Sequence, residues 1–288
     1  MEISSKRRTI EIIVGIVVLV LFGLLFNAVY QGYYAETYSR LANIEAAAPQ
    51  TEDYIQADAK VMSVDAIKGE MSVRITFTPH GTLTDNGTLK KELSLYVNSA
   101  TGGQNRSFPK GKDMSPIDVT LDTAGMVTDY PFDKHEASLE MLLTDVVKDA
   151  EPTPIPMVVN FSGSITGLKI SADVDKQSTE FYSLINIGIE RSQTTIVIIV
   201  FAMVLLWLIT ITVLLMFLSV VLRNRKIEFG MFAFMAGFLF SFVAFRNAMP
   251  GAPPIGTLSD YLAFFWGYAL ISLSLVGLVI TWLVRPTK

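Results

Sequence analysis

His80 and His135 are the only histidines in the chain, and there is no cysteine. Neither has a ligand partner at helical spacing. The sequence carries no H-E-x-x-H, no G-x-S-x-G and no Walker-type glycine loop. Gly163-Ser164-Ile165-Thr166-Gly167 places its serine one position too early for a nucleophile elbow. Asp145, Asp149 and Glu151 form an acidic cluster that could attract Ca²⁺. They lack the alternating spacing of an EF-hand loop and read as a solvated acidic loop. The missing cysteines also exclude thiol chemistry and thiolate metal sites. No catalytic, cofactor or metal residue is assigned, and the chain is expected not to be an enzyme.

Two other groups have spacings that suggest a mechanical role. In "RNAMPGAPPIGTLSD", Arg246 ends an apolar run and Asp260 precedes the next one. Between them Pro250, Gly251, Pro253 and Pro254 restrict the backbone or permit tight turns. Arg246 is expected to bridge to Asp260 or to an acid on the outer domain, with Asp133 the candidate there. The second group is Tyr130-Pro131-Phe132-Asp133, a turn in front of an alternating stretch. Here Phe132 is expected to insert among apolar groups and Asp133 to cap backbone donors. A packed domain corner would use the same residues. The turn resembles one at the membrane face of the extracellular sandwich in pentameric ligand-gated channels. Those channels have four spans after the sandwich, whereas only three follow here.

The elements that must position these groups are set by the membrane. Apolar runs cover Ile12–Val29, Ile196–Leu222, Ile227–Phe245 and Leu262–Val284. Each approaches or exceeds the ~20 residues that cross a hydrocarbon core as a helix. Lys6, Arg7 and Arg8 precede the first run, Arg223, Arg225 and Lys226 follow the second, and Arg285 and Lys288 follow the fourth. With four spans, all three basic groups face the cytoplasm, as do both termini. Residues 31 to 192 then lie outside, where 14 Lys and Arg stand against 23 Asp and Glu, a net charge of −9. An acidic outer part argues against nucleic acid as a partner. No Asp, Glu, Lys, Arg or His lies near the middle of a run, which argues against coupled ion transport.

The predicted organisation is an α+β membrane protein with four transmembrane helices and an extracytoplasmic antiparallel β-sandwich between the first and second. Residues 1–30 form an anchor helix and 31–50 a helical stalk, closed by Pro49. Residues 51–192 form the sandwich, and 193–288 a three-helix membrane domain. Period-two stretches such as "YIQADAKVMSVDAI", "MSVRITFTP" and "ASLEMLL" supply the strands, with Lys68-Gly69-Glu70 as a hairpin turn. Three Asn-x-Ser/Thr matches, at Asn86, Asn105 and Asn160, read as chance in a Ser/Thr-rich domain. In the third apolar run Gly230, Ala233, Gly237, Ser241 and Ala244 share one helix face. Such a face permits close helix approach, within the chain or against a partner subunit.

The anchor, the Tyr-Pro-Phe-Asp turn and "FRNAMPGAPPIGTLSDYLAFFW" together resemble a membrane-protein family, domain of unknown function 4436, found mainly in bacteria. The resemblance implies this topology and a bacterial plasma membrane, and it brings no activity with it. The expected function is a non-enzymatic accessory or scaffold subunit, its partners the lipid bilayer and another membrane or envelope protein, or further copies of itself. The alternative is a ligand-sensing or channel-like protein.

Overall fold

The structure, a computed structural model, describes residues 2–39, 42–44, 51–147, 151–251 and 253–285. Helix α1 (Glu2–Ser39) leads into a β-rich domain, and three further helices follow. The first sheet holds β1 (Ala42–Ile44), β2 (Ile55–Asp65), β3 (Glu70–Pro79), β8 (Ile117–Asp122) and β11 (Met157–Gly163), in the order β1-β11-β2-β3-β8. The second holds β6 (Leu93–Val97), β7 (Gln104–Phe108), β10 (Lys134–Asp145), β12 (Leu168–Val174) and β13 (Tyr182–Arg191), in the order β12-β13-β10-β6-β7. The short β9 (Ala124–Gly125) pairs with the start of β10, and β4 (Thr84–Asp85) with β5 (Thr88–Leu89) forms a small hairpin.

Alternation drives this arrangement. In β2 and β3, Ile55, Ala57, Ala59 and Val61 face inward beside Met71, Val73, Ile75 and Phe77. From the other sheet Leu139, Met141 and Leu143 of β10 and Ile185, Ile187 and Ile189 of β13 meet them in one core. A one-residue slip would turn either set to solvent, which fixes the register. The β2–β3 turn is closed by Asp65, whose Oδ1 accepts from the backbone N–H of Ile67 and of Lys68 at 3.1 Å each. Gly69 completes it at φ +70°, a conformation that suits glycine.

The sheets and the stalk depart from the sequence expectation. The sheets are antiparallel except that β11 runs parallel to β2. The helix leaving the first apolar run is described as far as Ser39, and Ala42–Ile44 is a strand, not a continuing stalk helix. Its backbone pairs with Phe161 to Gly163 of β11. An open sheet edge offers a row of unpaired N–H and C=O groups, and that pairing outweighs the helix preference of a short alanine-rich segment. The remainder of the expected stalk, from residue 45 to 50, lies outside the described residues.

Among the described residues, three helices are long and apolar enough to cross a membrane: Gln193–Leu222, Phe229–Asn247 and Asp260–Val284. They are α2 (Gln193–Leu222), α3 (Phe229–Asn247), and a π-helical turn at Asp260–Phe264 that runs into α4 (Phe265–Val284). The wider turn leaves carbonyls off the regular ladder, and the Trp207 indole N–H of α2 donates to Leu262 O at 3.0 Å. α4 packs against both α2 and α3, and α1 meets the bundle along α2. Close approach is made at Gly267, where a Cβ would lie 2.6 Å from Phe242 of α3 and 2.8 Å from Thr210 of α2. Gly277 does the same against Phe217, 2.5 Å away.

The small-residue face of α3 therefore has a different place from packing within the chain. Gly230, Ala233, Gly237, Ser241 and Ala244 are all exposed, and a Cβ at Gly230 or Gly237 would meet nothing within 4 Å. The opposite face, with Met235, Phe242 and Arg246, is the buried one. Met235 and Phe242 bury more apolar area there than small residues would.

Candidate functional site

β10 begins and β13 ends at the bundle, with Lys134 opposite Glu190 in the ladder. Continuing that register by one step brings Asp133 beside Arg191, just before α2. Arg191 Nε donates to Asp133 Oδ1 and Oδ2 at 3.0 and 3.1 Å, and Nη2 donates to Oδ2 at 3.0 Å. His135 Nε2 lies 3.1 Å from the same Oδ2. Asp133 and His135 are buried, so a carboxylate, a guanidinium and an imidazole share a dry corner. Gly125 leaves room for the imidazole, since a Cβ there would press on His135 Nδ1. Outside this corner Lys134 and Glu190 pair at 2.8 Å, and the Lys134 ammonium holds the Glu190 carboxyl below its ordinary range.

Asp133 thus holds a side-chain pair and does not cap a turn. The inserted aromatic is Tyr130, not Phe132. Tyr130 is fully buried among bundle residues including Met249, Ala263 and Phe264, whereas Phe132 is 50% exposed. The Tyr130 hydroxyl donates to Pro250 O at 2.8 Å, and Tyr130 O accepts from Ser259 N at 3.2 Å. Arg191 lies 5.2 Å from the Tyr130 ring centroid, within cation–π range. Burial pushes the Tyr130 phenol up to about 12. The Tyr130–Pro131 peptide is cis. A tyrosine can carry a hydroxyl to the Pro250 carbonyl, as phenylalanine cannot, which explains the exchange of roles.

Beneath Tyr130 the loop after α3 closes on a second ion pair. Arg246 Nε donates to Asp260 Oδ1 at 2.7 Å and Nη2 to Oδ2 at 2.6 Å. Its Nη1 donates to Pro253 O at 2.8 Å and Nη2 also to Pro254 O at 3.3 Å. Asp260 Oδ2 accepts as well from Gly256 N at 2.8 Å, Thr257 N at 3.1 Å and Thr257 Oγ1 at 3.2 Å. Both side chains are buried, at 5% and 1% exposure. Prolines contribute here by offering carbonyls without adding N–H groups that need partners.

Of the two acids considered for Arg246, the structure brings Asp260 to it and gives Asp133 to Arg191. The two clusters are joined through Tyr130 and the loop at Pro250 and Gly251. A Cβ at Gly251, whose φ is +58°, would stand 2.5 Å from Arg191 Nη1. Arg191 and the anchoring part of Tyr130 were not legible as site residues from composition. Only the ladder register, which places 133 beside 191, could have shown the first. In the acidic loop Asp145 is buried and accepts from Thr153 N at 2.9 Å. Asp149 lies outside the described residues, and Glu151 is exposed.

A family model described as Domain of unknown function (DUF4436) matches residues 45–189. The chain belongs to the DUF4436 family. A second model, Domain of unknown function (DUF8686), matches residues 191–285. No curated protein matches. The DUF4436 segment contains Tyr130, Asp133 and His135, and the DUF8686 segment opens at Arg191. The ion pair that seats the β-domain therefore spans the boundary between the two.

Proposed function

We propose that the chain is a four-span protein of a bacterial plasma membrane. Both termini are cytoplasmic, the β-sandwich lies outside, and α1 is a retained anchor. It acts as a non-enzymatic accessory subunit. Its α3 receives a transmembrane helix of another protein or copy, and its sandwich is held in fixed orientation to engage an envelope partner. The observation that carries this reading is the outward small-residue face of α3, in a bundle whose own close approaches are made at Gly267 and Gly277. Small residues let backbones come near where no hydrophobic driving force separates helix from lipid. The keyed junction at Tyr130, Asp133 and Arg246 supports the second half, because it ties the outer domain to the spans.

Gentle detergent extraction followed by mass-resolved purification tests it. The expected result is a co-purifying membrane protein or a homo-oligomer, lost in Gly237→Leu at unchanged melting temperature. A strictly lone monomer sinks the proposal. The topology is tested separately by single cysteines in intact cells. One at Ser99 is expected to react with an impermeant thiol reagent, and one at Asn224 to stay unreactive. A second reading, a ligand sensor that passes motion to the spans, is favoured by the Tyr130 turn standing directly on the α3–α4 loop. Ligand-dependent conductance in bilayer recordings would support it over the first.

A further inference from the structure

Beneath the sandwich, on the side of α1, lies a recess of about 390 Å³ bounded by Tyr33, Thr166, Arg191, Thr195, Ile198 and Gly251. A second hollow of about 360 Å³ lies between α1 and α2, walled by Phe26, Val29 and Tyr30. The two share Tyr33, Thr194 and Ile198, so the polar recess and the apolar hollow adjoin.

Arg191 presents one unused edge to the upper recess. Nε and Nη2 are spent on Asp133, while Nη1 donates to no group among the described residues. The side chain is only 9% exposed. Nη1 is not among the buried polar atoms left without a partner, so this edge is open to the recess as a donor. The absence of a side chain at Gly251 keeps it open. The N-terminus of α2 reaches the same recess at Thr194 and Thr195, and its dipole favours negative charge there. Asp133 balances the charge of Arg191, so the recess offers directed donors and partial positive charge, not a full cation. That chemistry fits a phosphodiester.

We propose that the two hollows form one binding site for a phospholipid of the leaflet on the sandwich side. Its phosphate sits on Arg191 Nη1 and one acyl chain lies between α1 and α2. The site presupposes that α1 lies in the membrane; it does not require a protein partner.

The test uses the full chain purified in a phospholipid-free detergent and read by native mass spectrometry. It is titrated with dioleoyl phosphatidylglycerol, with dioleoylglycerol and with inorganic phosphate. The expected result is one phospholipid bound, no comparable binding of dioleoylglycerol, and no displacement by millimolar phosphate. Ile198→Trp fills the shared wall at a partly exposed position and is expected to weaken binding about tenfold or more, with the melting temperature kept. Arg191→Lys keeps a cation for Asp133 but removes the Nη1 edge, and a similar loss is expected. If that variant does not fold, Ile198→Trp decides alone. Equal binding of dioleoylglycerol, or unchanged binding in Ile198→Trp, overturns the proposal. Displacement by phosphate also overturns it, in favour of a soluble anion.

Discussion

Replacing Arg246 by alanine removes the centre of the lower cluster. Asp260 loses its bidentate partner but keeps Gly256 N, Thr257 N and Thr257 Oγ1 on one oxygen. The carbonyls of Pro253 and Pro254 lose the guanidinium altogether. Breaking a buried ion pair by removing one partner costs roughly 3–5 kcal/mol, against ~0–1 for an exposed pair. Asp260→Ala strands more: a cation with two carbonyls for company, and three donors without their acceptor. It is therefore expected to cost at least as much as Arg246→Ala. The double variant leaves no buried charge, so its loss should fall well short of the sum, with a coupling of about 2–3 kcal/mol. Thermal unfolding in detergent, followed by tryptophan fluorescence, reads the effect. Trp207 reports well, because its indole is bonded to Leu262 two residues after Asp260. At about 2–4 °C per kcal/mol the single variants should melt roughly 6–20 °C below the parent. Asp133→Asn serves as a comparison. Its partners are Arg191 and His135, so its loss should add to that of Arg246→Ala apart from what Tyr130 transmits. Silent single variants, or losses strictly additive between 246 and 260, would show two incidental charges and refute the reasoning.

Gly267→Leu should abolish folding or lower the melting temperature strongly, since its Cβ alone would press on Phe242 and Thr210. Overpacking of this kind costs about 1–3 kcal/mol or more, whereas the same exchange at Gly237 should leave the melt of the isolated chain unchanged. Tyr130→Phe should lose the bond to Pro250 O at a cost of about 0.5–1.5 kcal/mol, measured by urea titration. It should also flatten the alkaline pH dependence. Burial pushes the folded phenol up to about 12, against ~10 unfolded, so its contribution is complete below pH ~10 and is lost as pH rises through the folded value. A parent and variant with parallel stability curves through that window would contradict the burial argument.

Elements dictated by strong periodicity were readable in advance. The strands with alternating apolar residues and the three long apolar helices stand where patterning places them, because burial rewards the same residues whatever the neighbours are. β7 was not readable: Gln104-Asn105-Arg106-Ser107 is polar throughout, and only Phe108 is buried. It exists because β6 offers an edge to pair with. β1 has the same origin on the opposite sheet. The site was half readable for a related reason. Charges at the ends of two apolar runs announce that Arg246 and Asp260 face a common loop. Choosing between Asp260 and Asp133 needs the course of the loop, which Pro250 and Gly251 set through tertiary contacts. The outward turn of the α3 small-residue face was likewise a matter of competition, decided by where Met235 and Phe242 bury more apolar area.

The Asp133–Arg191 pair bears on how far the two matched segments can act separately. Cutting the chain at Glu190 would leave Asp133 and His135 without the guanidinium in one piece. In the other it would leave an unpaired Arg191 at the start of α2. Tyr130 would leave a hole beside Met249, Ala263 and Phe264, and the loop at Pro250 would lose its hydroxyl donor. Each half would thus expose a polar group that the intact chain keeps dry, and the sandwich piece would expose an aromatic as well. A flexible tether would require none of these contacts. Their presence on both sides of the boundary means that the β-domain is seated on the spans as a fixed part. It rests on the α3–α4 loop through Tyr130 and Pro250, and the Arg246–Asp260 pair ties that loop together.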